Sequence, residues 1–269
     1  MSYDKNKSFI TKYCYGLVEL GRMFENFFQA MFFILTGKFP RIEFLNQASK
    51  FGFDTLPVVA VVTFFIGLAL TLQIARQLAG IGNTASVGTT VAISIVREIG
   101  PLISGVMIAA RIGGAMAAEI ATMNVSEQID ALKVLKVNPV SFLVAPRVLS
   151  AMLMTPLLTV FAIYIGCFGG MIIAISYIHM DPLMFFDSFK LSVGNKDIMI
   201  ALFKALVNGA IVSTTSCTFG LQAGGGAEGV GHTTTKSVVW AMLGIFMTNF
   251  LITNSVYSFG KVIDPSFVK

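Results

Sequence analysis

Apolar and polar positions fall in blocks too long for a soluble domain. Uncharged, strongly apolar stretches cover residues 55–75, 148–180, 205–227 and 237–260. A fifth block, 88–118, is as apolar but is broken by Arg97, Glu98 and Arg111. A helix that crosses a bilayer needs ~20 such residues, so all five are long enough to span. Residues 9–35 follow another rule. Phe9/Ile10, Tyr13/Cys14, Leu17, Leu20, Phe24, Phe27/Phe28, Met31/Phe32 and Leu35 recur at helical spacing, with Lys12, Glu19, Arg22, Asn26 and Gln29 opposite. That pattern predicts an amphipathic helix, lying in the membrane interface or packed on the bundle.

The polar breaks predict the connections. Pro57 opens the first span, and Gly80 to Thr84 is a short turn that brings the second span back beside the first. The second span is rich in small residues (Gly105, Ala109, Ala110, Gly113, Gly114, Ala117, Ala118), which suits a central packing helix, and Pro101 is expected to kink it. Residues 119–147 form the long inside connection. Within it 125–135 reads as a short helix, with Ser126 as its cap and Ile129, Leu132 and Leu135 as an apolar stripe. Residues 177–197 are expected to be an outside loop, and the glycine-rich 224–231 an inside turn before a fifth span starting near Val238. The predicted fold is an all-α membrane protein: an interfacial helix region over 1–50, and five transmembrane helices over 51–265.

Composition supports this and removes other classes. The chain is 55% hydrophobic and only 12% charged, with mean hydropathy +0.79. Soluble domains carry about 25% charged residues. No stretch remains for a soluble catalytic domain. The net charge of +5 does not point to nucleic acid, because most Lys and Arg residues flank the spans. With the N-terminus inside, the inner connections hold 11 Lys/Arg and the outer ones 5, which predicts an outer C-terminus. Cys14, Cys167 and Cys217 are far apart in apolar settings and predict neither disulfide nor metal site. No cleavable signal peptide is expected, since Glu19, Arg22 and Glu25 interrupt the first apolar stretch.

The candidate chemistry lies where charge is costly. Arg97 and Glu98 are adjacent, so on a helix they point about 100° apart and cannot simply neutralise each other. Each needs a partner on another helix or a polar cavity. Counting ~1.5 Å per residue from the outer helix ends places Arg97, Lys204 and Asn249 at similar depth in the outer half of the membrane. The expected cluster is Arg97, Glu98, Lys204 and Asn249. Its bland reading is a charge network that only fixes packing. Against that reading, buried ion pairs are poor sources of stability, whereas intramembrane charges mark transport routes.

Catalytic motifs fail on context. Gly224-x-Gly226-x-x-Gly229 has no strand before it, and Gly226 to Gly231 ends in His232-Thr233 where a Walker A loop needs Lys-Ser/Thr. No Walker A motif exists anywhere, so the chain does not hydrolyse ATP by itself. His179 and His232 belong to no His-Glu-x-x-His motif, and Ser104-Gly105 lacks the setting of a catalytic serine.

Several stretches in order resemble the MlaE-type permease family of ABC lipid transporters. They are 97–101 (Arg-Glu-Ile-Gly-Pro), 110–123, 126–132, 137–139 and 145–147, then 226–231 and 233–239 near the C-terminus. The likeness covers roughly 45–260; residues before it match only in amphipathic character. It implies a non-enzymatic, homodimeric permease without cofactor, each copy paired with a cytoplasmic ATPase subunit that binds the ATP. It further implies an MCE-domain lipid-binding partner on the outer side, and phospholipid cargo moved between inner and outer membranes. The setting would be a bacterial inner membrane; plastid relatives exist, but no transit peptide is visible. By the same resemblance 125–136 is the coupling helix, with Ser126, Glu127, Gln128, Asp130, Leu132 and Leu135 as its contact residues. Arg97, Glu98 and Lys204 would line a lipid cavity at the dimer centre. His232 stands where a small residue is expected, and no function follows from it. Two other classes remain open on the residues: a secondary transporter using Glu98 as a proton relay, and a non-transporting membrane scaffold.

Overall fold

The computed structural model describes the backbone of residues 3–80 and 82–263, and the side chains of 16–80 and 82–256. Among these residues there is no strand. The helices are α1 (Tyr3–Leu35), α2 (Arg41–Gly52), α3 (Leu56–Gly80), α4 (Val87–Ser94), α5 (Gly100–Ile108), α6 (Gly114–Val125), α7 (Gln128–Val134), α8 (Ala145–Ile178), α9 (Pro182–Ser192), α10 (Asn195–Leu221) and α11 (Gly226–Ile263). Short π-helical turns, Ile95–Ile99 and Ala109–Gly113, join α4, α5 and α6 into one long rod. Five continuous segments, Arg41–Gly80, Thr84–Val125, Val140–Ile178, Asn195–Leu221 and Gly226–Val256, are long and apolar enough to cross a membrane.

The rod of α4 to α6 is the central element, as its small residues predict. It packs on α3, α8 and α9 at one end and on α10 and α11 at the other. A Cβ on Gly105 would meet Asn208, one on Gly113 would meet Ser216 and Val212, and one on Gly114 would meet Val238. The tightest crossing is α3 on α8. There Gly67 lies so close to Gly166 that an added Cβ would stand 2.0 Å from the Gly166 carbonyl oxygen. Without water to drive apolar faces together, such close approach supplies the dispersion contacts that hold membrane helices.

At the α6 end of the rod one carboxylate joins three segments. Glu119 Oε1 pairs with Lys50 of α2 at 3.1 Å, and Oε2 with Arg147 of α8 at 3.2 Å. Arg147 also donates to the Leu143 carbonyl at 3.0 Å. Helix α1 rests against this end. Part of its polar back faces the bundle: Glu19 is buried and bonded to Lys236 at 2.7 Å, and Asn26 donates to Thr218 at 2.9 Å, while Arg22 and Gln29 of the same predicted face are exposed. Leu17, Phe24, Phe28, Phe32 and Leu35 point outward and are well exposed. The helix thus packs on the bundle and still offers an apolar stripe to the membrane interface. The start of the stripe, Phe9 to Cys14, lies outside the described side chains.

Four local expectations are corrected. Residues 177–197 are no simple loop, because α9 occupies 182–192. Its Asp181 cap accepts the Leu183 N–H at 2.9 Å, and Phe185 is buried. The glycine-rich stretch is mostly helix: Gly225 and Gly226 make the turn with φ of +80° and +71°, and α11 runs on from Gly226. Pro101 sits within the first turn of α5, so the irregular π turn precedes it. Ser126 does not cap α7; its hydroxyl donates back to Thr122 at 2.7 Å, and Glu127 makes the turn at φ +59°.

Gly67→Val forces α3 and α8 apart, an overpacking that costs about 1–3 kcal/mol. Thermal unfolding in detergent, followed by loss of the monodisperse chromatographic peak, is expected to shift down for Gly67→Val. Gly21→Ala, at a position with open space around it, is expected to leave the midpoint unchanged.

Candidate functional site

Pro101 creates the site. In a regular helix the N–H of residue 101 would serve the carbonyl of Arg97, one turn earlier. Proline has no N–H to give. Lys204 of α10 fills the vacancy: its Nζ donates to the Arg97 carbonyl oxygen at 2.8 Å and to Glu98 Oε1 at 2.9 Å. One ammonium therefore satisfies an exposed backbone acceptor and a carboxylate together. The Lys204 side chain is 1% exposed while that of Glu98 is 44% exposed, so the cation is locked inside and the acid faces the open side.

Two more layers hold this pair. Thr253 of α11 donates to the same Glu98 oxygen at 2.9 Å. One turn inward, Asn208 donates to the Pro101 carbonyl at 3.0 Å, and Asn249 donates to Asn208 Oδ1 at 2.9 Å and to the Ile245 carbonyl at 2.7 Å. Asn208 and Lys204 are four apart on α10, and Asn249 and Thr253 four apart on α11, so each pair shares a helix face. The central rod, α10 and α11 are stitched together at one depth.

Arg97 turns the other way. Its Nε lies 2.8 Å from Asp197 Oδ1, in the first turn of α10. Asp197 Oδ2 accepts the Gly194 N–H at 3.0 Å, closing that helix end as a capping box. The structure thus brings together all four expected residues, Arg97, Glu98, Lys204 and Asn249, but as two linked ion pairs rather than one. Asp197, Asn208 and Thr253 were not among the expected site residues. Asp197 sits seven residues before Lys204, two turns along one helix face, a spacing visible in the sequence once α10 is started at Asn195.

Beside the cluster lies an apolar groove of about 480 Å³, lined by Val96, Ile163, Phe168, Phe185, Phe189 and Leu202 among others. Val96 precedes Arg97, and Leu202 is half a turn from Lys204. Residues one or two apart on a helix point to different faces, so the groove lies on a neighbouring face of the same helices and is lined by none of the cluster's charged side chains.

Beyond the α6 end of the rod α7 presents a second surface. Ile129 is buried and Leu132 packs beside it against the bundle, so part of the predicted stripe has its place in the fold. Leu135 and Val134 are exposed at 72% and 82%, flanked by exposed Glu127, Gln128 and Asp130.

Residues 44–255 match the family model described as Permease MlaE. A probable ABC transporter permease protein of Synechocystis sp. is 38% identical over 84% of this chain and 86% of its own length. A probable ABC transporter permease protein of Rickettsia prowazekii is 39% identical over 78% of this chain and 81% of its own. The chloroplastic protein TRIGALACTOSYLDIACYLGLYCEROL 1 of Arabidopsis thaliana is 35% identical over 84% of this chain and 65% of its own.

Lys204→Met removes the donor to the Arg97 carbonyl, and an orphaned buried acceptor costs about 1–3 kcal/mol. The thermal midpoint of the purified chain is expected to fall. Glu98→Gln added to Lys204→Met is expected to recover part of the loss, because no carboxylate is then left facing a missing ammonium. An unchanged midpoint in the single variant would show that Lys204 holds nothing.

Proposed function

The chain belongs to the MlaE family of permeases and is a multi-pass ABC transporter permease subunit, and from that premise we propose that its cargo is phospholipid. The observation that carries the reading is a half-exposed Glu98 over the buried Lys204, on helices that also line an apolar groove within a membrane bundle. A phospholipid needs both surfaces at once: polar donors for a phosphate and an apolar wall for acyl chains. Ligand sites of several hundred Å³ with a few placed polar groups have this make-up.

Two copies enclose the cavity, with the Arg97, Glu98 and Lys204 sets facing it and Asn249 bracing α11 behind them. A phosphate reaches the buried Lys204 ammonium only by displacing Glu98, which covers it on the open side, and charge-assisted hydrogen bonds of that kind are roughly twice as strong as neutral ones. Arg97, held by Asp197, keeps its planar guanidinium in a fixed orientation next to Glu98 in the chain. Work comes from a separate ATPase subunit on the inner side, since the sequence has no nucleotide-binding loop. Helix α7 receives it: Ile129 anchors the helix to the bundle, while Val134 and Leu135 enter the partner. Motion of α7 passes directly into α6 and to Glu119, which ties α2 and α8 to the rod. An outer lipid-binding partner of the MCE type accepts or delivers the lipid, and the chain sits in a bacterial inner membrane with its N-terminus inside.

The test is to purify the chain with its ATPase partner and count bound phospholipid by mass spectrometry. Lys204→Glu is expected to lower bound phospholipid and lipid transport about tenfold or more. Leu135→Asp is expected to release the ATPase and leave bound lipid in place. Full lipid occupancy and transport in Lys204→Glu would overturn the head-group role.

A further inference from the structure

The central rod carries one face that no described residue covers. From residue 97 inward, accessible and buried positions alternate in pairs every four residues: 98–99, 102–103, 106–107 and 110–111 are accessible, and the pairs between them are buried. The open line continues through Ala115, Ala118/Glu119 and Thr122. A plain α-helix repeats every 3.6 residues, so such a line would drift around the rod. The two π turns, Ile95–Ile99 and Ala109–Gly113, each add extra residues to a turn and hold the open face in register. Helices α3 and α11, the flanking spans, both pack against the rod and leave this line between them.

Four charged side chains stand on that line. Arg97 has Asp197, Glu98 has Lys204, and Glu119 has Lys50 and Arg147. Arg111 is exposed and makes no ion pair with any described residue. By the ~1.5 Å rise it lies roughly 20 Å along the rod from Glu98 and 12 Å from Glu119, close to the inner boundary of a hydrocarbon core ~30 Å thick. An arginine at such a depth does not face hydrocarbon; it lines a cavity or meets an anion. Both acids nearest to it on the line are already held by lysine or arginine, which leaves Arg111 as a positive site on an otherwise neutralised track.

We infer that Arg111 is a second phosphate-binding station, which holds the head group of a phospholipid in the inner half of the membrane before or after it occupies the Glu98–Lys204 site. The planar guanidinium suits a phosphate in a two-pronged grip. The intervening positions Ile103, Val106 and Met107 are apolar and Ala110 and Ala115 are small, so the track between the stations accepts chains and adds no competing charge. The inference rests on the phospholipid reading above and extends it from one site to a route.

The experiment uses the full complex in nanodiscs containing radiolabelled phosphatidylglycerol, with a photo-crosslinking residue at position 115 or, separately, at position 99. Lipid is expected to crosslink at both positions. Arg111→Gln is expected to reduce lipid capture at 115 about tenfold, to leave capture at 99 in place, and to slow transport; Arg111→Lys is expected to retain part of the capture at 115. Lipid captured at 99 but never at 115, or equal capture at 115 with and without Arg111, overturns the second station and leaves the outer site standing. A crosslink from 115 to a second copy of the chain in place of lipid also overturns it, assigning Arg111 to a contact between copies. Capture at neither position overturns the phospholipid reading itself.

Discussion

The structure turns on one missing hydrogen. Pro101 cannot give an N–H to the turn before it, so the Arg97 carbonyl is left open in a medium with no water to fill it. Lys204 answers that vacancy from a neighbouring helix and is fixed there by Glu98 as well. A lysine buried for structural reasons alone would be a poor choice, because desolvating an ammonium costs several kcal/mol and an apolar contact would do better. Here the desolvation is offset by a backbone oxygen and a carboxylate, and only the Glu98 side of the pair is open. The same few atoms brace three helices and hold charge ready for a ligand.

Everything around the pair keeps it in place. The Asn208–Asn249 bridge fixes α11 against α10 one turn below, and Thr253 brings α11 to the acid itself. At the other end of the rod Glu119 ties α2 and α8 to α6, directly before the turn into α7. Helix α7 thus follows directly on the rod that carries the charged site, and the rod meets α10 in close contacts at glycines such as Gly105 and Gly113.

Much of this was legible in the residues. Four spans follow from uninterrupted apolar length and the fifth from a stretch of equal length broken at Arg97, Glu98 and Arg111, a signal that depends on the thickness of the bilayer. The meeting of Arg97, Glu98, Lys204 and Asn249 follows from depth counting, because helices crossing one slab bring equal depths together. What stayed hidden was local. Asp197 was lost because 181–197 reads as a polar loop, although α10 begins at Asn195 and turns that acid toward Arg97. Helix α9 was lost for the same reason: it lies across the outer end and is too short to register as a span. The inward turn of Glu19 was invisible because its partner Lys236 lies more than two hundred residues away, and periodicity says nothing of such pairs. The π turns, which set the open face of the rod, have no sequence signature beyond Pro101 itself.

The most direct measurement restores the missing hydrogen. In Pro101→Ala the new N–H can close the helix onto the Arg97 carbonyl and release Lys204 from half of its hold. Phospholipid bound per protomer would be counted by mass spectrometry on the purified complex, beside the thermal midpoint of the same sample. The account predicts that bound phospholipid falls while the midpoint holds or rises. Bound phospholipid at the native level, with the midpoint also unchanged, would contradict it.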